Sequence, residues 1–541
     1  MVLRRSAELA SEERTEAVRR TLRQRRSLSR EPIRSAAWLL ALVVVKAAVL
    51  ASLYHRGFLS ISADEFARGV RAMHWAAHPT LAWSDFSEAW LPPEKILNGT
   101  ALMVWPDPIW APRATAFLAS CVLLVAFHRM VRLLFEPWLV AALASALLVV
   151  QPWYIWLSGT PALDVYYLSL FVLGLGFLVE WLRDDVRGRW LAAALCFLLA
   201  SGFHVQSWLL INLVHVLTLG FLVRAVRQRD ARRGLRLIGT YVISDAFMLA
   251  CGVGALVVGG VPLAFLGEHT RYSKWFYGGY DVSVADKLLF YPTLLARYLP
   301  WTARLLLVVG IVLSVRERGA RWKLAPVVLG ITSLAAYSLF NLASVPPTAA
   351  PERYTLLWTL LALPSIAYAV VRIGAGFGSR SIVVRTVALA VAFACVAMLV
   401  AHDVAIARRI PAGIGWGPVL AGRTLDTLMD VPGADPSGRF MIELRYWDFL
   451  GVELAARHPG RSCYDRERNR QLRDLPSLFV ENAETIRARL ADLHVEWVAL
   501  TSPELTSRAD ALPWLARVGE VGGWRLYRVR ASTPAASDGG T

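Results

Sequence analysis

The chain is short of charge. Asp, Glu, Lys and Arg make up 18% of its 541 residues, against about 25% in an average soluble domain, which excludes a water-soluble body of this size. Cysteine is scarce as well. Of the five present, Cys121, Cys196, Cys251 and Cys395 lie inside apolar runs and Cys463 stands alone near the C-terminus. With no CxxC and no metal-ligand spacing, neither a disulfide framework nor a zinc site is expected. Internal repeats are lacking. A cleavable leader is not expected either, because residues 1–34 are polar, hold ten arginines, and lead into an apolar run with no small-residue cleavage site.

Apolar residues fill the space that charge leaves. They make up 56% of the chain, and mean hydropathy is +0.45. They gather at about 35–54, 112–134, 138–157, 164–182, 190–204, 207–223, 237–258, 303–316, 324–342, 354–372 and 384–401, blocks of the length that carries a helix across roughly 30 Å of hydrocarbon. The spacing predicts a membrane all-α bundle of about eleven transmembrane helices. The two short runs on either side of Phe203 and Ser207 could equally form one bent helix.

The net charge of +17 would suggest nucleic acid on a soluble protein. Here the basic residues sit in short loops between apolar runs, as the positive-inside rule requires, so they report topology and anionic lipid rather than a nucleic-acid partner. With the N-terminus inside, the segments 1–34, 129–137, 183–189, 224–236, 316–323 and 372–385 hold 28 Lys and Arg, against nine in the longer outer loops 55–111, 259–302 and 343–353. That bias predicts a bacterial inner-membrane protein with a basic cytoplasmic tail at 1–34, a transmembrane domain at 35–402 and a long first outer loop at 55–111. An odd helix number then places 403–529 outside as a small α/β domain. Its strands are expected at 439–444, 496–501 and 524–529 and its helices at 448–457 and 484–493, with one more helix before the last strand. A disordered tail follows at 530–541.

The candidate chemistry collects on the outer face. Asp64 and Glu65 are an adjacent acidic pair just past the first helix, able to supply a general base near the headgroups or merely to be solvated. Asp164 opens the fourth helix, where a carboxylate is costly unless it faces a partner or cavity, or serves as a helix cap. His204 ends the fifth helix. Arg271 and Lys274 stand among aromatics, a setting that suits a phosphate and a sugar ring as well as plain headgroup contact. Arg353 and Tyr354 begin the tenth helix, as a phosphate clamp or a snorkelling anchor. Pro92-Pro93 and the tryptophans of the first loop suit short interfacial helices. The sequon Asn98-Gly99-Thr100 is read as chance. No single feature is decisive; the gathering of acids and cations on one face is what points to a site.

These features together resemble the GT-C glycosyltransferases, in the bacterial branch related to protein O-mannosyltransferases and lipid A aminoarabinose transferases. The resemblance covers roughly 35–402. It is carried by Asp64-Glu65, the Pro-Pro element of the long first loop, Arg113 opening the second helix, Gln151-Pro152-Trp153-Tyr154, Ser158-Gly159-Thr160, Asp164, and Arg353-Tyr354. It implies a polyprenyl-phosphate-linked sugar as donor, a hydroxyl acceptor on a lipid, glycan or protein arriving from the outer side, and inversion at the anomeric carbon. Asp64 would be the base, Glu65 would orient it or bind acceptor, and Asp164 would match the second family carboxylate. Arg271, Lys274, Arg353, Tyr354 and His204 would hold donor phosphate and sugar. His204 departs from the pattern, because relatives place Lys or Arg about there. No metal ligand is identified, and the resemblance neither requires nor excludes a divalent metal. Two other readings stay open: a polymerase or ligase of lipid-linked saccharide, and a flippase. A flippase calls for midplane charges and paired broken helices, of which the sequence shows little beyond Asp245.

Overall fold

The computed structural model describes residues 32–86, 90–260, 283–317, 321–343, 351–376, 381–411, 413–431, 435, 437–467 and 475–530. All eleven apolar runs form helix. Among the described residues eight helices are long and apolar enough to cross a bilayer alone, and ten spans result if each of two bent pairs counts as one. The protein is a multi-pass membrane bundle with a small sheet near its C-terminus.

The chain opens with helix α1 (Pro32–His55), then lays two shorter helices across the loop, α2 (Asp64–Ala77) and α3 (Pro92–Val104). Pro92 and Pro93 occupy the first turn of α3, where a missing N–H costs nothing. Span α4 (Trp110–Leu134) follows. The run at 138–157 is interrupted: α5 (Trp138–Val150) and α6 (Pro152–Ser158) meet at 68°. Pro152 cannot donate within a continuing helix. Gln151 caps α6 instead, accepting from Tyr154 N at 2.7 Å.

Next come α7 (Leu163–Asp184), α8 (Arg189–Phe203), α9 (Gln206–Arg227) and α10 (Ala231–Gly259). The short runs around His204 are therefore two helices, not one bent helix. A further helix, α11 (Val284–Tyr298), lies within the stretch 259–302 expected to be outer loop, and it turns through 99° into α12 (Trp301–Arg316). The bundle closes with α13 (Ala325–Ala343), α14 (Thr355–Gly374) and α15 (Ile382–Ala407).

Burial ranks these spans. The spans containing α14 and α7 are 83% and 72% buried over their apolar windows, while α15 is 11% buried. Thus α7 and α14 form the bundle's interior and α15 faces lipid. Close approach is enforced where small residues meet: a Cβ on Gly310 of α12 would stand 2.1 Å from Ser365 O of α14, so only glycine fits that crossing.

Residues 416–529 fold as α16 (Trp416–Met429), β1 (Arg439–Ile442), α17 (Phe449–Ala455), β2 (Ser462–Tyr464), α18 (Ala483–Asp492), β3 (Val495–Leu500), α19 (Pro503–Asp510), β4 (Leu515–Val521) and β5 (Trp524–Val529). The sheet order is β2-β1-β3-β5-β4. β1 runs parallel to β2 and β3, and β5 is antiparallel to β3 and β4. β2 and β4 are additions to the expected strands.

This unit packs directly on the first loop. Leu59, Phe66 and Ile109 share one apolar core with Ile414, Leu450, Leu454 and Trp524. Ser60 Oγ donates to Ile414 O at 3.0 Å. A Cβ on Gly413 would meet Ser60 O at 2.5 Å, so the two backbones touch. Helix α2 is thereby clamped between bundle and sheet domain, which fixes where its first residue, Asp64, points.

Candidate active site

The interior helices α7 and α14 begin side by side, and α2 begins above them. Three charged residues meet there. Arg353 lies in the 3-10 turn Pro351–Tyr354 that leads into α14. Its Nε stands 3.2 Å from Asp164 Oδ2, and its Nη1 stands 3.8 Å from Asp64 Oδ2. The arginine bridges two carboxylates that are 100 residues apart in sequence. Their exposures differ sharply: the Asp164 side chain is 1% exposed and that of Asp64 is 43% exposed. One acid is sealed and the other is open.

A fourth member, Arg68, was not anticipated. One turn along α2, its Nη2 is 3.8 Å from Asp64 Oδ2, and its side chain is 2% exposed. Its guanidinium stacks on Trp90 at 5.5 Å. Nε and Nη1 of Arg68 have no hydrogen-bond partner among the described residues, and neither carboxylate oxygen of Asp164 has one. Buried polar atoms are normally satisfied, so unpartnered donors beside an open carboxylate mark a place built for something else. The sequence did carry a signal for Arg68, its i+4 spacing from Asp64, but that spacing is also the commonest surface pair on any helix.

Glu94 joins from α3. It is 1% exposed and its Oε1 accepts from Asn98 Nδ2 at 2.7 Å. Burial pushes its carboxyl upward, opposed first by the charge of Arg68. Asn98 Oδ1 in turn accepts from Thr115 Oγ1 at 2.7 Å. Asn98 is itself buried, which agrees with a sequon that arose by chance.

Glu65 is oriented differently from its neighbour. Its Oε1 accepts from Ile61 N and Ser62 N, both at 3.0 Å. That oxygen pins the loop backbone, while Oε2 of Glu65 is buried with no hydrogen-bond partner among the described residues. Arg113 does related work, donating from Nη2 to Leu59 O at 2.7 Å and from Nη1 to Ile109 O at 2.5 Å.

Burial lifts the Glu65 carboxyl from 4.5 to about 7, against the pull of Arg113 and the two loop amides. The folded protein therefore holds a proton that the unfolded chain has already released across that window. Stability falls as pH rises from about 4.5 to about 7 and then levels. Glu65→Gln keeps the acceptor oxygen and removes the titration. Its thermal stability is expected to vary less between pH 5 and 8 than that of the wild type, gaining on it as pH rises. An unchanged pH slope would refute the assignment.

Tyr354 caps the cluster from below, its ring 5.7 Å from the Arg353 guanidinium. It joins Tyr337 at 6.2 Å and Tyr291 at 6.4 Å in an aromatic wall. His204 lies further off, at the break between α8 and α9. Its Nδ1 accepts from Gln206 N at 3.0 Å, and its ring packs on Tyr167 at 5.5 Å. Tyr167 is one turn beyond Asp164, so the structure relates His204 to the cluster through that ring rather than by contact with either aspartate. Arg271 and Lys274 lie outside the described residues.

Arg353 bridges Asp64 and Asp164. Among the described residues one group of potential ligands does converge, Asp426, Asp430 and His458 in the sheet domain, with atoms within 4.8 Å of one another. There Arg457 Nε already donates to Asp426 Oδ2 at 2.8 Å.

No protein-family model matches the chain, and no curated protein matches it in sequence. Solved structures do match in shape. ArnT from Cupriavidus metallidurans in its apo state aligns with TM-score 0.57 at 13% identity over 91% of this chain and 98% of its own. ArnT bound to undecaprenyl phosphate aligns with TM-score 0.58 at 14% identity, over 92% and 98%. The apo oligosaccharyltransferase of Archaeoglobus fulgidus aligns with TM-score 0.50 at 13% identity, over 87% and 71%. At such identities what is shared is the fold, and the chain has the fold of these ArnT structures.

Proposed function

We propose that the protein is a membrane glycosyltransferase. It would move a sugar from a polyprenyl-phosphate carrier to a hydroxyl acceptor at the outer face of a bacterial inner membrane, with inversion. The N-terminal tail would be cytoplasmic, and residues 403–529 would form an extracytoplasmic domain that braces α2. The observation that carries this reading is the paired environment of the two aspartates, one sealed on Arg353 and one open beside it. Undecaprenyl phosphate bound to a neighbour of the same fold supports a lipid phosphate as the carrier.

In this reading Asp64 takes the proton of the acceptor hydroxyl as that oxygen attacks the anomeric carbon. The bond from that carbon to the phosphate oxygen breaks, and its electron pair leaves with the lipid phosphate. The phosphodiester becomes a monoester and gains negative charge, so cations count most on the leaving side. Arg68, with two unpartnered N–H-bearing nitrogens, is well suited to meet it. Arg353 is held by Asp164 and sets the position of Asp64. Phosphate is already a good leaving group, so no strong general acid is needed.

The test is transfer by purified protein in proteoliposomes, supplied with a short lipid-linked monosaccharide or a lipid-linked oligosaccharide. Transfer from the monosaccharide is expected. Transfer from the oligosaccharide alone would favour the polymerase or ligase reading. Movement of lipid-linked sugar across the bilayer with no new glycosidic bond would favour the flippase and defeat the proposal.

A further inference from the structure

Helix α7 has 22 residues, about 33 Å of helix, enough to cross the hydrocarbon. Its first turn carries Asp164, so its last turn lies on the opposite face of the membrane. There the ends of α7 and α9, the start of α10 and the segment before α13 enclose a cavity of about 300 Å³. Leu182, Arg183, Phe221, Arg224, Arg233 and Trp322 form most of its wall, and no Asp or Glu lines it.

Arginines at helix ends on one membrane face are ordinary as topology signals. Three features set these apart. Two guanidiniums are held in place: Arg233 Nη2 donates to Leu182 O at 2.9 Å, and Arg183 pairs through Nε and Nη2 with Asp184 at 2.8 and 2.7 Å while its Nη1 donates to Leu133 O. Arg224 makes no ion pair or side-chain hydrogen bond among the described residues, while it borders the hollow. Phe221 and Trp322 stack at 5.8 Å and 24° to floor it. The result is a concave site with positive walls and an aromatic base, of a size that takes a small ligand.

We propose that this cavity binds a phosphate group, that of an anionic phospholipid headgroup from the leaflet opposite the Asp64 cluster. The guanidiniums would take the phosphate oxygens in charge-assisted hydrogen bonds, and the aromatic floor would meet the glycerol backbone. Basic pockets between membrane helices suit such headgroups. The inference stands apart from the proposed transferase reaction, since the two sites lie at opposite ends of α7.

Native mass spectrometry of the full chain in detergent tests it, with dioctanoyl phosphatidylglycerol as probe. One copy is expected to bind, with affinity falling about tenfold in Arg224→Ala, the scale of one lost charge-assisted hydrogen bond. Arg227→Ala, one turn on and outside the cavity, is expected to stay within about twofold of wild type. Competition by inorganic phosphate at matching concentration would keep the phosphate site and assign it a soluble ligand. Equal weakening by the two variants would reduce the effect to general surface charge and overturn the site. Dioctanoylglycerol binding as tightly as the phospholipid would overturn it too, because that probe lacks the phosphate.

Discussion

Asp64→Asn is expected to lower sugar transfer by roughly 10²- to 10⁴-fold, the contribution of a positioned general base, and to leave the protein folded. Both halves follow from exposure. Asp64 is the open carboxylate of the cluster, 43% exposed, while Asp164 is 1% exposed; an acceptor hydroxyl can reach the first and not the second. The anchors of Asp64, Arg68 and Arg353, are each 3.8 Å away. Pairs involving such an exposed partner contribute only about 0–1 kcal/mol, so their loss is tolerable. Asparagine keeps the shape and can still accept from either arginine, but it cannot take a proton. Transfer rate and thermal unfolding measured on one preparation separate the two effects. Wild-type turnover in Asp64→Asn would remove the base from Asp64. Asp64→Glu retains the carboxylate one methylene out of place, and its rate is expected between those of wild type and Asp64→Asn.

The bundle was legible because hydrocarbon imposes a length on every span, and each apolar run did become helix. What escaped notice was helix with mixed character. Helix α11 holds Asp286, Lys287 and Pro292, which read as loop although its apolar face packs inward at Tyr291 and Leu294. The break at Gln151-Pro152 sits inside a block that is apolar on both sides of it. In the sheet domain β2 has three residues, too few to show a period of two, and β4 has an exposed middle. At the site, Asp64, Asp164 and Arg353 could be grouped because each begins a helix on the same side. Arg68 and Glu94 could not, since nothing in one sequence tells a buried charge on an interfacial helix from a solvated one. The converse holds for Glu65. Its adjacency to Asp64 suggests joint action, while one of its oxygens is taken up by the loop amides of Ile61 and Ser62.

Arg353→Ala is expected to destabilise the protein by about 3–5 kcal/mol, the range for removing one partner of a buried ion pair, and to abolish transfer as well. Asp164 is the reason. Neither of its oxygens accepts a hydrogen bond among the described residues, and Arg353 at 3.2 Å is its nearest ion-pair partner. Taking the guanidinium away leaves a carboxylate sealed in the bundle with little beyond the charge of Arg68 to offset its desolvation. The double variant Arg353→Ala, Asp164→Ala is then expected to be more stable than Arg353→Ala alone, because the second change removes the stranded charge. Groups in contact couple in this way, and distant ones add. Unfolding of wild type, both single variants and the double variant in detergent completes the cycle. A double variant destabilised by the plain sum of the two single losses would mean that Asp164 and Arg353 do not depend on each other. Transfer is a separate readout. The double variant regains stability but not the Arg353 charge beside Asp64, so it is expected to stay inactive, which distinguishes a residue needed for the site from one needed only for the fold.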